Sequence, residues 1–228
     1  MDNLENKAFK HRRLLFIIIY VVAFSFSSTS IMDDLHTLLN INLIQVQAIA
    51  IVFSLVGIMG WLLRVWASSY IGASVVHSAD LHGEQLITSG PYSYVRNPLY
   101  TGIMMMGMAF VPLLSVQSSV FLIVATAALI YLLVRAEEKY QMMRHSESYL
   151  EYKTSVPAFL PSFKKYNGKK CASSIVNGIR SETLYLFVFS PLIGSIFLST
   201  SIFRLSLFSL LAVGLISYLI FNRTFKNN

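Results

Sequence analysis

Gly90-Pro91-Tyr92-Ser93-Tyr94-Val95-Arg96-Asn97-Pro98-Leu99-Tyr100-Thr101-Gly102 and the later pair Glu137-Glu138 bracket a helical hairpin. A polar, aromatic and basic loop runs straight into an apolar segment. A short turn follows around Leu114 to Gln117, with Pro112 just before it, and a second apolar segment returns to end on two adjacent acids. So short a link makes the two segments antiparallel neighbours. Drawn as 98–115 and 118–136, they are close to equal in length at ~1.5 Å per residue. Arg96 and the two glutamates are therefore predicted to meet at one end of a helical hairpin.

The 228 residues are 55% hydrophobic and only 13% charged. Soluble domains carry about a quarter charged residues, and here the apolar residues fall in long blocks. The fold class is all-α, a polytopic integral membrane protein. About six spans can be drawn, at 14–32, 43–68, 98–115, 118–136, 184–201 and 205–222, each near the ~20 residues a bilayer crossing needs. The first follows a basic stretch but is long and lacks a clear small-residue cleavage site, so it reads as a span rather than a cleaved signal. Three units follow: a membrane core over 1–163, a basic cytosolic linker over 164–183 and a C-terminal transmembrane hairpin over 184–228.

Charge sets the orientation. Loops on one side hold fifteen Lys and Arg, eight of them between 137 and 183, and loops on the other side hold only Arg204. By the positive-inside rule both termini and the two long loops face the cytosol, as in a bacterial inner membrane protein. The net charge of +7 is thereby explained by topology and anionic headgroups, and nucleic acid is not expected as a partner. Cys171 is the only cysteine, which excludes an intrachain disulfide and a cysteine-built metal site. Oligomeric state leaves no mark on the sequence.

The chemistry gathers at the hairpin mouth. Asn97 before Pro98 is a good helix start, an N-cap followed by a proline whose missing N–H costs nothing there. Such a helix terminus favours an anion, and Arg96 adds a full charge with a bidentate fork. Gly90 lets the loop turn sharply and Pro91 stiffens it. Tyr92, Tyr94 and Tyr100 offer ring faces that attract a sulfonium or quaternary ammonium. Glu137 and Glu138 can take an α-ammonium or sugar hydroxyls. A small zwitterion that is also cationic suits this set. The plainer reading makes Arg96 a cytosolic anchor and Glu137-Glu138 a solvated helix exit.

These residues resemble the isoprenylcysteine carboxyl methyltransferase family and its relatives among phospholipid N-methyltransferases. Arg96, Pro98, Tyr100, Glu137 and Glu138 match the family's Arg-His-Pro-x-Tyr segment and Glu-Glu pair, with Asn97 in place of the histidine. Tyr149, Tyr152 and Val156-Pro157 extend the likeness, and Trp61, Arg64, Trp66 and Ala67 are similar to a pattern in bacterial members. The likeness runs over roughly 60–161 and leaves the C-terminal spans unmatched. It implies a multi-pass enzyme that binds S-adenosylmethionine at the cytosolic membrane face through Gly90, Pro91, Tyr92, Arg96, Asn97, Pro98, Tyr100, Glu137 and Glu138. Arg96 and Arg64 are the candidate catalytic residues. The acceptor it implies is a lipophilic small molecule or lipid, a carboxylate or an amine. No dedicated base stands near the motif, which favours a carboxylate, already a nucleophile, or an already neutral amine.

Two other functions stay open at this point. One is a sterol-type membrane reductase using NADPH, and the other a non-enzymatic scaffold or transporter subunit. Arg64 sits inside an apolar run, where a charge is either functional or snorkels to the interface. His77, Asp80 and His82 fit neither one helix face nor a zinc spacing, so no metal is expected. Met104, Met105, Met106 and Met108, Thr126 and the Ser25–Ser30 cluster read as packing residues. Tyr140, Met143, Tyr149, Tyr152 and Val156 alternate with charges, as in a helix lying on the membrane surface.

Overall fold

The computed structural model describes residues 3–32, 34, 42–71, 85–183 and 185. Among them the regular structure is entirely helical. The helices are α1 (Asn3–Lys10), α2 (Arg12–Ser25), α3 (Leu43–Ile71), α4 (Pro98–Met108) and α5 (Val116–Ser155), with short 3₁₀ turns at Gly90–Ser93 and Val111–Leu113. A further helical stretch, α6, covers 175–183.

Among the described residues two helices are long and apolar enough to cross a membrane, Ile44–Ile71 and Val116–Ser155. Each exceeds the ~30 Å hydrocarbon thickness at ~1.5 Å per residue. Both turn apolar side chains outward, among them Val52, Leu55 and Leu62 on α3 and Val120 and Val124 on α5, all more than half exposed. Faces of that kind need lipid or another apolar cover. The spans drawn at 184–201 and 205–222 lie outside the described residues, as do His77, Asp80 and His82.

Two of the drawn spans are shorter than expected. The first breaks after Ser25 and is helical again only at 31–32, because the serines between bond locally and across the fold. The Ser27 hydroxyl donates to Thr29 O at 2.9 Å and accepts Ser115 N–H at 2.7 Å. Ile31 N–H then donates to Leu114 O at 2.8 Å. Short polar side chains that satisfy backbone groups in this way compete with the helix. The cluster therefore latches the hairpin turn rather than packing one helix on another.

The third drawn span is an 11-residue helix, α4, followed by the 3₁₀ turn around Pro112. The expected near-equality of the hairpin arms fails, since α5 runs for 40 residues. The 3₁₀ turn, at ~2 Å rise per residue, helps the shorter arm reach the same level. Ser115 then starts α5 by accepting Ser118 N–H at 3.3 Å.

α4 packs chiefly on α3, at a crossing of two glycines. A Cβ on Gly60 would stand 2.7 Å from Met105 Cβ, and one on Gly102 would stand 2.7 Å from Gly60 O. Small residues permit this backbone approach. One core layer centres on Phe110, whose ring meets Tyr20 and Phe24 edge-on, with Met106 and Leu122 beside it. A second layer joins Ala8 and Phe9 of α1 to Tyr100, Leu133 and Val134.

α5 is kinked at Ser146, where φ is +40° and ψ −110°. Beyond the kink Tyr149, Tyr152 and Val156 are buried, with Leu86 and Tyr166 against them. The expected membrane-surface face is thus an inward face. Tyr152 shows why: its hydroxyl donates to Tyr92 O at 2.7 Å, inside the fold. Met143 and Leu150 remain exposed.

Candidate functional site

Gly90 opens the site loop at φ +64°, where a Cβ would also strike the Tyr70 ring. Only glycine meets both demands without strain. The 3₁₀ turn that follows buries Pro91, Tyr92 and Ser93, and Ser93 Oγ closes it by donating to Gly90 O at 2.7 Å. Pro98 is the first residue of α4 and Asn97 holds the N-cap position, as the sequence predicts. The Asn97 side chain does not cap, however. Its Nδ2 donates to Ala158 O at 3.1 Å, which leaves the first turn of α4 without a side-chain cap.

The hairpin mouth brings the predicted charges together. Arg96 Nη1 lies 3.0 Å from Glu138 Oε1, and Lys153 Nζ lies 2.8 Å from Glu138 Oε2. Tyr100 donates its hydroxyl to Glu137 Oε1 at 2.7 Å. Arg96 Nε has no hydrogen-bond partner although it is buried, and neither has the Tyr92 hydroxyl. Burial, and after it the nearby Glu137 carboxylate, pushes the Tyr92 pKa well above its ordinary value. That hydroxyl therefore stays a proton donor. Two orphaned donors, an uncapped helix start and a pair of carboxylates converge here. Buried polar groups are rarely left unpaired, so this is a cradle suited to a ligand with an anionic and a cationic end.

Arg64 stands elsewhere. It is buried on α3, with Nε 2.7 Å and Nη2 3.0 Å from the two carboxylate oxygens of Glu182. Its Nη1 donates to Leu99 O at 3.0 Å, in the first turn of α4. Ser68 Oγ donates to Glu182 Oε1 at 2.6 Å, and Trp61 Nε1 donates to Glu182 O at 3.1 Å. Arg64 thus reaches the site through the α4 backbone, and it does not snorkel.

Glu182, Lys153 and the inward-facing Tyr149 and Tyr152 stand at or beside the site without a motif in the sequence that marks them as site residues. A signal for Glu182 existed. Arg64 is the only charged residue of α3, and Glu182 is the only acid after Glu151. A lone buried charge needs a partner of opposite sign. The segment assigned as a linker over 164–183 accordingly ends in α6, docked on α3, where Gly178 leaves room for Val65 O.

Residues 49–145 match the isoprenylcysteine carboxyl methyltransferase (ICMT) family. This is a methyltransferase family of membrane proteins, in agreement with the resemblance carried by Arg96 to Tyr100 and Glu137-Glu138. The ICMT match begins in α3 and ends in α5. It includes Arg64, the site loop and both glutamates, and it stops short of Tyr149, Tyr152, Lys153 and Glu182. A curated relative is the cobalt-zinc-cadmium resistance protein CzcN of Cupriavidus metallidurans, 32% identical over 110 residues. That likeness covers 46% of this chain and 46% of CzcN, so the chain spans about half the length of the curated relative it matches. No solved structure matches. Among the described residues no group of three or more His, Cys, Asp or Glu side chains could hold a metal ion.

Proposed function

We propose that the chain is an S-adenosylmethionine-dependent methyltransferase that works at the cytosolic face of the membrane on a lipophilic acceptor. The observation that carries the proposal is the Arg96–Glu138 pair at 3.0 Å, set inside an ICMT-family segment. A zwitterionic amino-acid moiety can exchange with such a pair. Its carboxylate takes Arg96 and its ammonium takes Glu138, so two charge-assisted contacts replace one.

The orphaned donors support the fit. The Tyr92 hydroxyl and Arg96 Nε can each donate to an anionic oxygen, beside the uncapped start of α4. Glu137, held by Tyr100, offers its remaining lone pairs to an ammonium or a ribose hydroxyl. When bound, the cofactor supplies an electrophilic methyl group on a sulfonium. The part left to this chain is alignment, water exclusion and aromatic cover for the positive charge.

The acceptor this arrangement favours is a lipid or small amphiphile bearing a carboxylate, which needs no base, or an amine that arrives neutral. The ICMT match supports methyl transfer and lends nothing to the reductase or scaffold alternatives. The test is incubation of membranes with methyl-labelled S-adenosylmethionine, with and without the protein, followed by mass spectrometry of the lipid extract. A labelled lipid that appears only with active protein is expected. An unlabelled extract across carboxylate and amine lipids contradicts the proposal.

A further inference from the structure

The chain leaves α5 at Pro157 and doubles back along the site loop. Arg96 N–H donates to Pro157 O at 2.9 Å, and Asn97 N–H donates to Ala158 O at 3.2 Å. Ser162 N–H donates to Tyr94 O at 2.8 Å, and Tyr166 N–H donates to Ser93 O at 2.9 Å. This strap, 157–166, is bonded along its inner edge to the residues that carry Arg96 and Asn97.

Its outer side is different. Leu160 is 81% exposed and Phe163 is fully exposed. Lys164, Lys165, Lys169 and Lys170 follow, all exposed. Between Glu151 and Glu182 the chain has no acid at all. A solvated loop accounts for the lysines alone, and single exposed apolar residues are common. It does not account for a leucine and a phenylalanine held out by backbone bonds next to four lysines with no acid among them.

The level of the strap in the fold supplies the occupant. Ser162 bonds to Tyr94, whose ring lies 6.4 Å from that of Trp66, close to the C-terminal end of the spanning helix α3. Ser174 N–H donates to Ser69 O at the same end. A helix that crosses a bilayer meets the headgroups at its ends, and tryptophans gather there. Clustered lysines beside apolar side chains at that depth match an anionic leaflet, with phosphates for the cations and acyl chains for the apolar pair.

We infer that the strap is a lipid-docking element: Leu160 and Phe163 enter the headgroup–acyl boundary, and Lys164, Lys165, Lys169 and Lys170 bind the phosphates of anionic phospholipid. A soluble polyanion is the competing class. It would engage the lysines and leave Leu160 and Phe163 in water.

The test uses the full chain with Cys171→Ser, so that Phe163→Cys supplies the one thiol for an environment-sensitive fluorophore. The protein is placed in nanodiscs of phosphatidylcholine alone or mixed with phosphatidylglycerol. The expected result is blue-shifted emission and several-fold protection from aqueous iodide with phosphatidylglycerol. Lys164→Glu/Lys165→Glu should remove that gain. Leu160→Cys, labelled in the same way, gives a second reading at another exposed position. Water-like emission at both positions in both lipids overturns the inference. So does protection indifferent to phosphatidylglycerol, or protection produced by soluble polyphosphate over phosphatidylcholine alone. The readout needs neither cofactor nor turnover, so its outcome is independent of the methyltransferase proposal.

Discussion

Arg64 and Glu182, 118 residues apart in sequence, form a two-pronged ion pair with side chains only 5% and 0% exposed. The pair ties α6 to α3, and through Arg64 Nη1 and Leu99 O it ties both to the first turn of α4. Removing one partner strands a buried charge, at a typical cost of ~3–5 kcal/mol. Glu182→Ala is therefore expected to lower stability by about that amount, read as a fall in the thermal midpoint of the purified protein. Replacing both partners, as in Arg64→Met/Glu182→Leu, should recover most of the loss. A double variant no more stable than Glu182→Ala would contradict this account of the pair.

A Cβ on Gly102 would strike the stem of the buried, ion-paired Arg64 side chain and stand 2.7 Å from Gly60 O. A methyl group there must push α3 and α4 apart. Gly102→Ala should cost ~1–3 kcal/mol, the usual penalty for overpacking. Because α4 carries Tyr100 to Glu137, ligand affinity should fall as well. Parallel measurement of the thermal midpoint and of S-adenosylhomocysteine binding checks both.

Tyr92 separates binding from stability. Its buried hydroxyl has no partner in the fold, so Tyr92→Phe should leave the thermal midpoint unchanged or raise it, because an unsatisfied group has been removed. The same change should weaken S-adenosylhomocysteine binding by ~1.5–3 kcal/mol, the worth of a hydrogen bond to a charged group. The Tyr92 pKa is held above its ordinary 10.0. The hydroxyl thus remains a donor at every pH below that value, and the affinity gap between the two proteins should be flat with pH there. Loss of stability without loss of affinity would make Tyr92 a packing residue.

Lys153 competes for the carboxylate that the proposed ligand needs. Its side chain is 40% exposed and lies 2.8 Å from Glu138, a pair worth ~0–1 kcal/mol at a surface. Lys153→Ala should cost little stability and should tighten S-adenosylhomocysteine binding a few-fold, as Glu138 is released. Weaker binding in a titration would instead make Lys153 a ligand contact.

The meeting of Arg96 with Glu138 was legible because a short link allows the hairpin few geometries. The start of α4 was legible because proline tolerates only a few helix positions. What escaped was whatever long-range partners decide. Ser27 looks like any helix serine until Ser115 N–H is found beside it. Tyr149 and Tyr152 alternate with charges as an interfacial helix does, and only the Tyr92 carbonyl and the kink at Ser146 turn them inward. Asn97 has the residue type of a cap, yet Ala158 O claims its amide. Glu182 lay in a cationic stretch, and its meaning depends on a helix more than a hundred residues earlier.

Whether Arg96 and Glu138 clamp the methyl donor is read by calorimetric titration of the purified protein with S-adenosylhomocysteine, alongside Arg96→Ala and Glu138→Gln. The account predicts saturable binding by the native chain, weakened at least tenfold in each variant, about the 1.4 kcal/mol expected for losing one charge-assisted contact. No saturable binding by the native chain, or the same affinity in all three proteins, would contradict it.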